Sequence, residues 1–153
     1  MYNRVNEGAG LKEYLLRHSD GHHAARIRFL FRSGASMLAH HCAVYRRAHA
    51  DEDEPAVCPT CAQDGTVEDV SHVLFVCPAY AELRAALFES LREAVGARLL
   101  DAFLALSPVE RAVSFLRDDF LTGVPGHEPA VHRSVDRFLV DLVARRTTLL
   151  ADQ

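Results

Sequence analysis

Apolar side chains recur at spacings of three and four along most of the chain, and that rhythm predicts helices. Residues 9–18 and 22–32 carry it first. Ser33-Gly34 punctuates the pattern before residues 35–48 resume it, so two helices or one broken helix fit this part. Four adjacent acids and a proline, Asp51-Glu52-Asp53-Glu54-Pro55, then favour a solvated loop. Across residues 79–100 the positions Tyr80, Leu83, Leu87, Leu91, Val95 and Leu99 form one stripe expected to pack inward, with Arg84, Glu89, Arg92 and Glu93 between them. Ser107-Pro108-Val109-Glu110 supplies an N-cap serine, a proline at the first helical position and an acid at the third. It predicts a helix running through Phe115 towards Phe120, stopped by Gly123-Val124-Pro125-Gly126. From about Glu128 onward, Val131, Val135, Phe138, Leu139, Leu142, Val143, Leu149 and Leu150 outline a final amphipathic helix with Arg133, Arg137, Arg145 and Arg146 at polar positions. The one β-like run, Val73-Leu74-Phe75-Val76, is too short for length to decide helix from strand. The expected class is therefore mostly α.

Length and charge refine this picture. A chain of 153 residues fits one domain of common size. It reads as a basic helical lead over 1–50, a Cys/His motif over 55–80 and further helices over 81–150. With 49% hydrophobic and 25% charged residues, the composition is that of an ordinary globular protein. The net charge of −4 hides an asymmetry: residues 1–50 carry 8 Lys and Arg against 3 Asp and Glu, or +5, and residues 51–153 carry 9 against 18, or −9. Such a split permits a local anionic partner near the N-terminal end and argues against nucleic acid coating the whole surface. The first residues lack the apolar core of a signal peptide, and no window approaches the roughly 18 apolar residues of a membrane span. The expectation is an intracellular protein with no membrane contact, in which close cysteines point to metal rather than to disulfides.

Cys58-Pro59-Thr60-Cys61, His72 and Cys77 make a Cys-x2-Cys-x10-His-x4-Cys pattern. Zinc takes four tetrahedral ligands, and a two-residue gap lets both thiolates of a tight turn face one ion. Thr66-Val67-Glu68-Asp69 resembles a capping box with Asp in the Glu position, which predicts a short helix starting there and carrying His72. In an unbroken helix His72 and Cys77 would stand about 140° apart, too far round to meet one metal. Pro78 biases Cys77 out of the α region and supplies the change of path. Three thiolates and one imidazole leave no position for water or substrate, so the expected role is one structural zinc ion in a CCHC knuckle-like insertion between helices. Cys42 lies outside the pattern and reads as a small buried hydrophobe.

These residues resemble the zinc-binding domain found towards the C-terminus of reverse transcriptases from non-long-terminal-repeat retrotransposons. The resemblance covers about residues 25–84. Its parts are Arg26-Ile27-Arg28-Phe29-Leu30-Phe31-Arg32-Ser33-Gly34, then Cys58-Pro59-Thr60-Cys61, then Val67-Glu68-Asp69-Val70-Ser71-His72-Val73-Leu74-Phe75-Val76-Cys77-Pro78-Ala79-Tyr80, ending in Glu82-Leu83-Arg84. It implies a helical appendage that binds zinc and helps the element's protein hold its RNA template or DNA target. It does not imply polymerisation: the family's palm domain needs an aromatic-x-Asp-Asp strand, whereas Asp118-Asp119 follows Leu116-Arg117 in a helical pattern and reads as a solvated helix face. An attached endonuclease would be expected to use a lysine among its acids, and Lys12, the only lysine, precedes the motif. The chain reads as an isolated fragment or domesticated remnant of such an element.

No His-Glu-x-x-His, glycine-rich phosphate loop or Gly-x-Ser-x-Gly occurs, so neither an enzyme nor a small-molecule substrate is expected. His22-His23 and His40-His41 read as surface or interface histidines, because adjacent histidines on a helix point apart. Arg26, Arg28, Arg32, Arg46 and Arg47 are the candidate contacts to an RNA or DNA backbone, with Tyr45 stacking on a base. The alternative partner is a polymerase or another protein meeting an exposed apolar stripe.

Overall fold

The computed structural model describes residues 22–50, 56–61, 65–117, 119–121 and 126–152. The helix expected over 9–18, the acidic loop at 51–55, Asp118 and the stop at 123–125 lie outside them. Among the described residues seven helices follow in order: α1 (His22–Ser33), α2 (Ala39–Ala50), α3 (Val70–Phe75), α4 (Ala81–Val95), α5 (Ala97–Leu104), α6 (Pro108–Leu116) and α7 (Glu128–Ala151). A 3-10 turn, Pro78–Tyr80, leads into α4. Among the described residues the only β pairing is an isolated antiparallel bridge between Val57 and Val67. None of the described helices is long and apolar enough to cross a membrane.

The two-helix alternative holds for the lead. Gly34, at φ +74°, lets the chain fold back after α1, and the Ala35 N–H donates to Leu30 O at 3.1 Å, the wrap a left-handed residue past a helix end allows. The Ser107 capping box also forms: Glu110 N–H donates to Ser107 Oγ at 3.4 Å and Ser107 N–H to Glu110 Oε2 at 3.0 Å. The helix it starts is shorter than the pattern suggests. It ends at Leu116, where Arg117 takes an extended backbone and Leu121 a positive φ of 51°. Phe120 is nonetheless buried, drawn inward by its neighbours' rings.

The expected single helix over 79–100 is two helices. Gly96 sits at φ +81°, ψ 160°, a conformation open to glycine and strained for other residues, and it separates α4 from α5. The break shifts the helical phase. Leu99, which continues the stripe in sequence, is 37% exposed, and Leu100 and Phe103 are buried instead.

The long helix α7 forms as its pattern predicts and is the spine of the molecule. It packs on α4 and α1, and α3 packs on α6. The core is one contiguous cluster with residues from α1 and α3 to α7. At its centre, Phe75, Phe103, Phe115, Phe120 and Phe138 meet edge to face with ring centroids 5.0–5.8 Å apart, an arrangement the ring quadrupole favours. Phe75 lies one helical turn after His72, so the metal motif is anchored to this cluster.

Leu100→Ala should cost about 2–5 kcal/mol in urea unfolding of the full chain. Leu99→Ala should cost about 0.5 kcal/mol. Equal losses at the two positions would mean that α4 and α5 are one continuous helix.

Candidate metal centre

Residues 56–58 and 65–68 run antiparallel. Cys58 N–H donates to Thr66 O at 2.8 Å and Glu68 N–H to Ala56 O at 2.7 Å, on either side of the Val57–Val67 bridge. This pairing moves the start of the next helix. Thr66 is occupied in the hairpin and does not cap; Asp69 caps instead, accepting from His72 N–H at 2.7 Å and from Ser71 Oγ at 2.8 Å. α3 thus begins at Val70, and it still carries His72 inward.

Beyond His72 the chain turns as Pro78 requires. Val76 and Cys77 both donate their N–H to His72 O, at 2.8 and 2.7 Å, and Cys77 leaves the helical region at φ −52°, ψ 122°. The β-like run is therefore the last turn of a helix. This wrap brings Cys77 back beside Cys58, Sγ to Sγ 4.0 Å, while Cys61 Sγ lies 3.5 Å from His72 Nε2.

The ligating atoms of Cys58, Cys61, His72 and Cys77 all lie within 4.8 Å of one another, an arrangement compatible with one metal ion. A tetrahedral site with metal–sulfur bonds near 2.3 Å and metal–nitrogen bonds near 2.0–2.1 Å has edges of about 3.6–3.8 Å. The two distances above sit close to that. Cys58, Cys77 and His72 are buried, Cys61 is half-buried, and all four cysteines are free thiols. Burial holds the His72 imidazole below its usual range, which favours the neutral form that ligates metal. Cys42 is half-buried and outside the cluster.

Three side chains around the donors, Thr60, Tyr80 and Arg84, are not marked by the ligand spacing. Thr60 Oγ1 lies 3.2 Å from Cys58 Sγ and 3.5 Å from Cys77 Sγ, and buried Tyr80 donates its hydroxyl to Thr60 at 3.4 Å. Burial pushes the Tyr80 phenol up to about 12, so it stays a donor. Arg84, on the first turn of α4, is 9% exposed; its Nη2 donates to Val76 O at 3.5 Å, and its Nη1 has no hydrogen-bond partner among the described residues. Burial lowers its pKa, and the charge of Cys77 acts in the opposite sense. A guanidinium left short of partners in such a place fits a neighbour of net negative charge, which three thiolates around a divalent ion supply.

The five candidate phosphate contacts differ in exposure. Arg28 and Arg32 are 1% and 2% exposed, and Arg28 Nη2 lies 3.4 Å from Asp136 of α7. Both side chains are thus withdrawn from solvent in this structure. The signal was in the sequence: Arg28 stands four residues after Ala24 and three before Phe31, within the stripe that faces the core. Arg26 and Arg47 are exposed and Arg46 is half-buried; Tyr45, next to Arg46 along α2, is exposed. His23 and His40 are exposed, whereas His41 is half-buried, with Nδ1 2.6 Å from Ser36 Oγ. Asp119 is exposed and paired with Arg117 beyond the end of α6, not on a helix face. Comparison with protein families, curated proteins and solved structures returns no match.

Burial pushes the metal-free Cys77 thiol up to about 11, so at neutral pH a metal must displace its proton. Metal uptake at pH 7 should release protons, and affinity should fall with pH; titration calorimetry in buffers of different ionisation enthalpy reads this, and proton-neutral binding would contradict the ligand set. The metal-free fold has the opposite sign: Cys77's contribution is full below the ordinary thiol range and is lost as pH rises through about 11. Arg84→Met should weaken metal binding about tenfold or more in competition with a chelator, while unchanged affinity would separate Arg84 from the site.

Proposed function

We propose that the chain is a zinc-stabilised accessory domain of the kind its motif resembles, the zinc-binding domain of retrotransposon reverse transcriptases. It has no catalytic role of its own and contacts RNA or DNA through its N-terminal helices. The observation that carries the reading is the closed set of four donors, Cys58, Cys61, His72 and Cys77. Three soft thiolates with one imidazole suit zinc above magnesium or calcium, which take oxygen ligands. Once bound there, zinc supplies a cross-link and no reactive position.

The contact surface is narrower than the arginine pattern suggests. With Arg28 and Arg32 turned inward, Arg26, Arg46 and Arg47 supply the positive charge and Tyr45 a ring for stacking. A protein partner such as a polymerase is the second reading. Met37 and Val44, 77% and 51% exposed, favour it because they put apolar surface on and beside the helix that carries Tyr45.

Native mass spectrometry should find one zinc per chain, lost in Cys61→Ser and His72→Ala. On single-stranded RNA or DNA, three neutralised phosphates give a log–log salt slope of about −2, and Arg46→Ala with Arg47→Ala should reduce it to about −1. Absence of binding at low salt would defeat nucleic-acid contact, and a salt-insensitive complex with a protein would favour the second reading.

A further inference from the structure

Glu68 stands one residue before the cap of α3 and is fully buried, yet the metal centre makes no use of its carboxylate. That carboxylate is satisfied by two distant elements. Arg146 of α7 donates from Nε to Oε1 at 2.7 Å and from Nη2 to Oε2 at 2.8 Å, and the same Nη2 reaches Met37 O at 3.1 Å. The fork geometry suits guanidinium and carboxylate. Burial works against the Arg146 charge, but its bonds to Glu68 outweigh this and hold its pKa above the usual value.

The second element is α2. Its first residue, Ala39, donates its backbone N–H to Glu68 Oε2 at 2.7 Å, and His40 N–H reaches the Glu68 carbonyl at 3.2 Å. A helix start has unpaired amides and a partial positive charge, and here an anion carried by the metal hairpin closes it. Burial adds little to these bonds among the described residues of the helix. Over residues 39–47 only Ala43 is buried, with Leu38 just ahead of the first turn.

We propose that Glu68 couples metal occupancy to the docking of α2. Closure of Cys58, Cys61, His72 and Cys77 on an ion fixes the hairpin, the hairpin fixes Glu68, and Glu68 together with Arg146 fixes the start of α2. The inference rests on the zinc reading above and adds a control to it: loss of the ion frees α2, and with it the face bearing Tyr45, Arg46 and Arg47.

Hydrogen exchange of the full chain, with native mass spectrometry on the same samples to count zinc, tests the coupling. Chelation should speed exchange of the amides of residues 41–47 in the wild type. Glu68→Gln should keep one zinc while the same amides exchange about tenfold faster or more. Ala39→Pro removes only the N–H that meets Glu68, at a helical position proline suits, and leaves the Glu68–Arg146 pair in place. It should also keep zinc and lose protection of α2, and it decides the matter if Glu68→Gln does not fold. Zinc retained with α2 protection unchanged overturns the coupling. A wild-type chain that holds no zinc overturns the reading beneath it, and the coupling falls with it.

Discussion

A hairpin with one bridge pair and a six-residue helix is too small to stay closed by itself. Isolated helices of that length are marginal in water, and so are lone two-stranded hairpins. Here both are closed and carry buried residues at their junction. What meets there is three sulfur atoms and an imidazole nitrogen, groups that have little to offer one another without a cation. A divalent ion held there would convert this convergence into bonds, worth about 10–16 kcal/mol apparent in small zinc sites and comparable with the whole stability of a domain. Pro78 turns Cys77 back, Asp69 starts the helix that carries His72, and Phe75 ties that helix to the aromatic cluster. Each makes sense as a device for holding four donors at one point.

Charge placement follows from this centre. Among the described residues the charged side chains of Arg28, Arg32, Glu68, Arg84, Asp136 and Arg146 are wholly or largely withdrawn from solvent. Removing one partner from a buried pair is costly because the other is stranded, so such pairs fix geometry more surely than they add stability. Arg28 with Asp136 sets α1 against α7, Arg146 with Glu68 sets α7 against the hairpin, and Arg84 reaches the carbonyl of Val76, the residue before Cys77. Part of the positive excess of the N-terminal third is thus spent inside the fold. That leaves less positive charge at the surface of the described N-terminal helices than the sequence alone suggests.

The sequence made the metal motif legible because its signals are local: ligand spacing, a proline after the last cysteine, an acid before the helix. The Ser107 cap and the long C-terminal helix were legible for the same reason. Gly96 was also readable, since a glycine inside a strong stripe can end a helix, but the stripe continued numerically through Leu99 and masked the change of phase. The cap at Asp69 was misplaced by three residues because the pairing of 56–58 with 65–68, which consumes Thr66, is a tertiary event. Arginines were the hardest to place. Arg28 and Arg146 are withdrawn from solvent against acids far along the chain, 108 residues away for Arg28 and 78 for Arg146. Periodicity could show that Arg28 lay on the inward stripe, but no local rule names Asp136 or Glu68 as the partner.

X-ray absorption at the metal edge of the purified full chain tests the central claim most directly, because it reads the ligand shell itself. A shell of three sulfurs near 2.3 Å and one nitrogen near 2.0–2.1 Å is the predicted result. A shell of oxygen and nitrogen alone, or protein that is folded and free of metal, would contradict it.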